Sequence, residues 1–228
     1  MSKYVELGYP ISEEMPVHPL VPNVKLDPKE RLKKGDPWNG SVLSIYLHAG
    51  THVDAPYHHF DDGKGIDEIP IENFIYKNPL LIDCPLGENG YITMDHLKAY
   101  SNDIGKADIL FFNTGYWKLR STDIEKYANN FPALSREAAE YIRTELPQCK
   151  AVAIDTLSIE NLTDANKDGY FVHHAFLDED KFNTPTMLIY EDVNYEPVEN
   201  KQIKSAFTSP LRLKGYDASI VNIIAEIE

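Results

Sequence analysis

The sequence predicts an α/β fold, a mixed sheet or partly closed barrel with a few packed helices. Three observations carry this expectation: strand-like runs outnumber helical ones, the helical runs cluster in the middle third, and buried strand candidates end in polar residues. A chain of 228 residues can bury a sizeable core, and the whole of 1–228 is expected to form one domain.

In chain order, KYVELGY reads as a strand. So does SVLSIYLH, where Val42, Ser44, Tyr46 and His48 fall on one face and Leu43, Ile45 and Leu47 on the other. Between them, NVKLDPKERLKKGDPWNG is polar and turn-rich, and is expected to be a mobile loop that folds over a site. PLLIDC is a strand, and TMDHLKAYS a short helix with Thr93 as N-cap. ADILFFNTG is an apolar run closed by Asn-Thr-Gly, the pattern of a buried strand. STDIEKYANN and LSREAAEYIRTELP are helices, the second capped by Ser135 and stopped by Pro147. KAVAID and TMLIYED are short buried strands that end at Asp155 and at Glu191 and Asp192. SAFTSPLRL and ASIVNIIAEI complete the strand candidates.

The net charge of −14 argues against nucleic acids and anionic membrane surfaces as partners, because like charges repel. No stretch approaches the ~18 apolar residues of a membrane span. The N-terminal segment lacks a basic start followed by an apolar core, so no secretory signal is expected. Cys84 and Cys149 are far apart and outside any C-x-x-C pattern, as expected of two buried thiols in a reducing cytoplasm.

LHAGTHVDAPYHHF, residues 47–60, packs four of the eight histidines and one aspartate into fourteen positions. His48, His52, Asp54 and His58 all carry even numbers, and even-numbered residues of an extended chain point to one face. Gly50, Thr51, Val53 and Pro56 make a helix here unfavourable, while Gly50 and Pro56 argue against a regular central strand. A bent segment can converge these side chains. Imidazoles with a carboxylate suit zinc, manganese or iron(II) better than calcium. Two cations close together need more than one carboxylate. Glu191 and Asp192, then Asp155, are the candidates to supply it, with His173 or His174 as a further nitrogen donor. His18 and His96 read as ordinary histidines, His96 in a surface helix. His59 reads as a packing or supporting residue.

His48-Ala-Gly50-Thr51-His52-Val-Asp54-Ala-Pro56-Tyr-His58 matches all seven specified positions of the signature H-x-G-T-H-x-D-x-P-x-H. In this the chain resembles the metal-dependent cyclase-like hydrolase family, which includes bacterial kynurenine formamidase (arylformamidase) and isatin hydrolase. The resemblance continues in FPALSREAAEYI, in AIDTLSIE (Glu160 where the family has aspartate), in VHHAFL and in LIYEDVNYE. It implies one metal held by His48, His52 and Asp54, and a second held by Asp54, His173 and Glu191, with Asp54 and Glu191 shared. It implies His58 as the proton-transfer residue. The metal is one or two zinc ions, with manganese as the alternative. The implied fold is a swivelling β/β/α domain, often a homodimer or higher homo-oligomer.

The implied activity is hydrolysis of a small aromatic amide or formamide of the N-formylkynurenine type, by hydroxide formed at the metal. Isatin-type lactam hydrolysis, or a lactone hydrolase or cyclase, stands as the alternative. From another class, a metal-containing small-molecule receptor without turnover also stays open. The chain departs from the formamidases in ISEEMPVHPLVP, which carries His18 and no tryptophan. Trp38, Tyr116 and Trp117 are the candidate aromatic walls instead.

Overall fold

The computed structural model describes residues 3–228. In chain order the strands are β1 (Lys3–Glu6), β2 (Lys25–Glu30), β3 (Gly40–Ser44), β4 (His52–Asp54), β5 (Ile75–Tyr76), β6 (Pro79–Asp83) and β7 (Tyr91–Ile92). They continue with β8 (Ile109–Asn113), β9 (Ala133–Leu134), β10 (Ala151–Ile154), β11 (Leu188–Glu191), β12 (Ile203–Thr208), β13 (Ala218–Ile220) and β14 (Ile223–Ile227). The helices are α1 (Met94–Lys98), α2 (Ile124–Asn129), α3 (Arg136–Glu145), α4 (Leu162–Asp168) and α5 (Phe171–Leu177).

A mixed six-stranded sheet, in the order β13-β4-β11-β10-β8-β6, forms the centre. Its strands β6, β8, β10 and β11 run parallel, and β4 is antiparallel to both β11 and β13. A four-stranded antiparallel sheet, β1-β14-β12-β5, covers one face. Phe111, Ala153, Tyr190 and Val53 of the large sheet bury against Tyr76, Ala206 and Ala225 of the small one. On the opposite face Phe112, Val152, Ile154 and Ile189 pack against Leu97 of α1, Ile142 of α3 and Phe176 of α5. Each such aliphatic side chain removed from water contributes about 1.5–3 kcal/mol, and the period-two alternation of every central strand feeds both cores. The result is three layers, β/β/α, as expected.

The pleat then dictates where the unusual residues of β4 go. Val53 faces the small sheet, so His52 and Asp54 face the helices. Glu191 lies directly opposite His52, and Ile189 opposite Asp54. Three ionisable side chains therefore share the buried helical side of the sheet.

Most expected elements are present, with capping as anticipated: the Ser135 hydroxyl accepts from the Ala138 amide, and α3 ends before Pro147. Four expectations are corrected. The polar segment 23–40 is not a free loop, because β2 pairs with β3 as a hairpin through five registered positions. The SVLSIYLH strand stops at Ser44, and residues 47–50 turn instead, with Gly50 at a φ of 72°. ASIVNIIAEI is two strands, β13 and β14, in different sheets. Finally, α4, capped by Asn161 and ended at Gly169, and α5 were not expected from the sequence. Cys84 and Cys149 are buried free thiols, and burial pushes Cys149 up to about 12. Among the described residues no helix is long and apolar enough to cross a membrane.

Candidate metal centre

β4 supplies His52 and Asp54, and β11 supplies Glu191 on the same face. His48 reaches them from the turn rather than from a continued strand: the backbone reverses at Gly50, whose positive φ suits a residue without Cβ. His58 ends the 3-10 turn Pro56–His58 that follows β4. His173 comes from α5, which lies over the sheet.

These side chains converge. His48 Nδ1 stands 2.8 Å from Asp54 Oδ1. His52 Nε2 is 3.4 Å from Asp54 Oδ1 and 3.4 Å from Glu191 Oε2. His173 Nε2 is 3.5 Å from Glu191 Oε1. The His58 and His48 ring centres are 4.0 Å apart.

Each of the three inner histidines turns one nitrogen inward and has the other tied down. His52 Nδ1–H donates to the Gly50 carbonyl at 2.8 Å. His173 Nδ1–H donates to Glu160 Oε2 at 2.7 Å, and Glu160 also accepts from the Val172 and His173 amides. His48 Nε2–H donates to Asp217 Oδ2 at 2.7 Å. Glu191 Oε1 is itself steadied by the Ile159 amide.

Electrostatics follow from this crowding. Burial works against charge on His48, but Asp54 and Asp217 outweigh it and raise the imidazole to about 10. His173 likewise overcomes burial through Glu160 and Glu191, and rises to about 10. Burial would raise Glu191, yet His173 and His52 hold it down at about 2. Asp54 is kept well below the usual carboxylate range, against its burial, by His48, His52 and His58. His59 falls to about 2 through burial and the neighbouring His173 and His58.

The donor set fits a divalent ion. His52 Nε2, Asp54 Oδ1 and Asp54 Oδ2 are buried without a well-angled hydrogen-bond partner among the described residues. Such atoms are expensive unless something compensates them, and a cation is the natural complement. Donor atoms of His52, Asp54 and Glu191 lie within 4.8 Å of one another, as do those of His48, Asp54 and His58, and of His58, His59 and His173. Imidazole with carboxylate suits zinc or manganese.

The other candidates are committed elsewhere. Asp192 forms a forked pair with Arg120, at 2.8 Å for both bonds, and accepts from the Tyr127 hydroxyl at 2.6 Å. Asp155 accepts from the Thr114 amide and hydroxyl and from the Trp117 amide, and burial raises it to about 6. His174 packs on Phe60 and His59. His96 closes the capping box of α1 with Thr93. His18 borders a cavity of about 160 Å³ beside Asn129 and Phe131. Of the candidate aromatic walls, Tyr116 is buried and stacked on Tyr127, and Trp38 is 60% exposed on the hairpin. Trp117 is half-buried and donates from Nε1 to Asn113.

Asp217 was not among the residues singled out from the sequence. KGYDAS carries no periodicity or spacing that ties it to the histidines, and only the pairing of β13 with β4 brings it there.

Residues 5–161, more than half of the chain, match the cyclase family, described as Putative cyclase. The chain belongs to that family. A Haemophilus influenzae relative described only as an uncharacterized protein is 33% identical over 118 residues, which is 52% of this chain and 83% of that one. Cyclase-like protein 3 of Oryza sativa subsp. japonica is 26% identical over 202 residues, covering 85% and 67%. Among solved structures, isatin hydrolase A from Labrenzia aggregata, bound to benzyl benzoate, superposes with a TM-score of 0.83 at 20% identity, over 99% of this chain and 94% of that one. A predicted metal-dependent hydrolase from Bacillus stearothermophilus superposes with a TM-score of 0.74 at 24% identity, over 99% and 98%. The cyclase fold is thus shared along the whole chain.

Proposed function

We propose that this cyclase-family protein is a metal-dependent hydrolase that opens a C–N bond of a small aromatic amide. The observation that carries the reading is the buried convergence of three inward-facing imidazole nitrogens on Asp54 and Glu191. His48, His52 and Asp54 would hold one ion. Asp54, His173 and Glu191 would hold a second. One or two zinc ions suit these donors, with manganese as the alternative.

When bound, such an ion acidifies water towards neutrality and polarises a carbonyl oxygen. The chain's own residues do the rest. Asp54 and Glu191 supply the negative charge that two neighbouring cations require. His58 stands at the mouth of the site with its side chain 25% exposed and Nδ1 turned towards Asp217. It takes a proton from the attacking water and returns it to the departing nitrogen. The buried helical face of β4 keeps bulk water from the ligands.

N-formylkynurenine-type formamides are the first substrate class. Isatin-type lactams are the second, favoured by the likeness to isatin hydrolase A and by the missing N-terminal tryptophan. Hydrolysis assays on N-formylkynurenine and isatin, run beside metal analysis, test both. His58→Ala is expected to keep its metal and lose ~10²-fold or more of the turnover. Unchanged turnover would remove His58 from the mechanism, and lost metal would make it a ligand. A metal-loaded protein inert to every amide and lactone would favour the receptor alternative.

A further inference from the structure

In the hydrogen-bonding scheme around the inner histidines, a histidine of the signature motif itself is held by a carboxylate from outside the motif. His52 is anchored by a backbone carbonyl and His173 by Glu160, while His48 is anchored by a residue from the far end of the chain, Asp217. Its position is fixed by the sheet. β13 lies antiparallel to β4 with Ala218 opposite Asp54, and the Ala55 amide donates to the Asp217 carbonyl at 2.9 Å. The backbone of Asp217 is thereby tied to the segment just after Asp54, and its side chain is left to reach the turn that carries His48.

We propose that Asp217 is the positioning residue of the His48 ligand. By accepting from Nε2–H at 2.7 Å it holds the ring in the tautomer that leaves the Nδ1 lone pair facing Asp54. The same Oδ2 lies 3.5 Å from His58 Nδ1, so one carboxylate oxygen spans the ligand and the proton-transfer residue. A carboxylate behind a ligating imidazole fixes its orientation and raises its basicity, and losing it costs about 10- to 100-fold in metal affinity. Without Asp217 the His48 ring is free to rotate or change tautomer, since it sits on a turn rather than a strand. This inference rests on the metal reading above.

The test is zinc affinity, measured by competition with a chromogenic chelator, for the wild type, Asp217→Ala and Asp217→Asn. Asp217 is 30% exposed and its ladder contact is made by the backbone, so both variants should fold, which circular dichroism checks. Asp217→Ala is expected to bind zinc about 10- to 100-fold more weakly. Asp217→Asn keeps an acceptor oxygen for Nε2–H and should recover most of that loss. The visible bands of the cobalt-substituted protein should shift in the alanine variant, as a change at a ligand requires. Zinc affinity and cobalt bands unchanged in Asp217→Ala, with the wild type binding zinc, would overturn the role of Asp217 alone. A wild type that takes up no divalent ion would overturn the metal reading, and this inference with it.

Discussion

At the scale of single residues, the proposed ligands stand out in the sequence and the groups that hold them do not. The run 48–58 announces itself through its histidines and aspartate. The anchor of His48, Asp217, lies 169 residues away, and Glu160 anchors His173 from 13 residues before it; both act through hydrogen bonds. Glu160 is the clearest case. Its carboxylate serves two amides at the start of α5 and the ring of His173 at once. Glu160→Ala should therefore strip three bonds together, lowering stability by about 1–3 kcal/mol and weakening zinc retention. Urea titration with and without zinc measures both effects. A variant that melts and binds like the wild type would show that α5 places His173 without help. Asp192 teaches the converse. Its adjacency to Glu191 made it a candidate ligand, but β11 ends at Glu191, the backbone turns at Asp192 with a φ of 53°, and Arg120 claims it.

Among elements, strands with a strong apolar period and the helices α1, α2 and α3 were legible, while the two-residue strands and the polar β2 were not. ADILFFN and KAVAI are buried on both faces and declare themselves. Of the β2–β3 hairpin only β3 was read as a strand, within SVLSIYLH; β2 escapes because KLDPKE is polar and mostly exposed, so burial imposes no pattern on it. The even-number rule held for His52 and Asp54, which lie in β4. It did not describe His48, which arrives by a reversal at Gly50. That reversal invites a test. A Cβ on Gly50 would lie 2.8 Å from Met15 Cε, and the backbone is in the left-handed region. Gly50→Ala is expected to cost about 1–2 kcal/mol from the backbone alone. It should also loosen zinc binding, because the turn carries His48 and the Gly50 carbonyl holds His52. Thermal melts and chelator competition check the two parts. Loss of stability with intact zinc affinity would mean that the turn does not set the ligand geometry.

For the molecule as a whole, the buried charges make stability depend on pH, and the sign follows from the shifts. His48 and His173 are raised to about 10 without an ion. Their contribution is complete below the ordinary histidine value of ~6.5 and is lost as pH rises through about 10. His59, lowered to about 2, acts oppositely: its contribution is present above ~6.5 and is lost as pH falls towards 2. The metal-free protein should be most stable near pH ~6.5 and weaken in the alkaline direction. On the proposed metal reading, zinc is expected to reverse that alkaline trend, because ligands must shed protons to bind it. Denaturant melts between about pH 6.5 and 9, with and without chelator, decide the matter, and parallel curves would contradict the proton-for-metal exchange.

The interleaving of the two sheets also has a consequence in time. β4 pairs with β11 and β13, and β1 pairs with β14. During synthesis from the N-terminus, each early strand must wait for partners made much later, and such non-local closure is slow. The nascent chain therefore displays its histidine-rich stretch unpaired until the C-terminal third emerges. Metal captured at that stage would meet a flexible peptide rather than a shaped cage, so selectivity among cations belongs to the last act of folding.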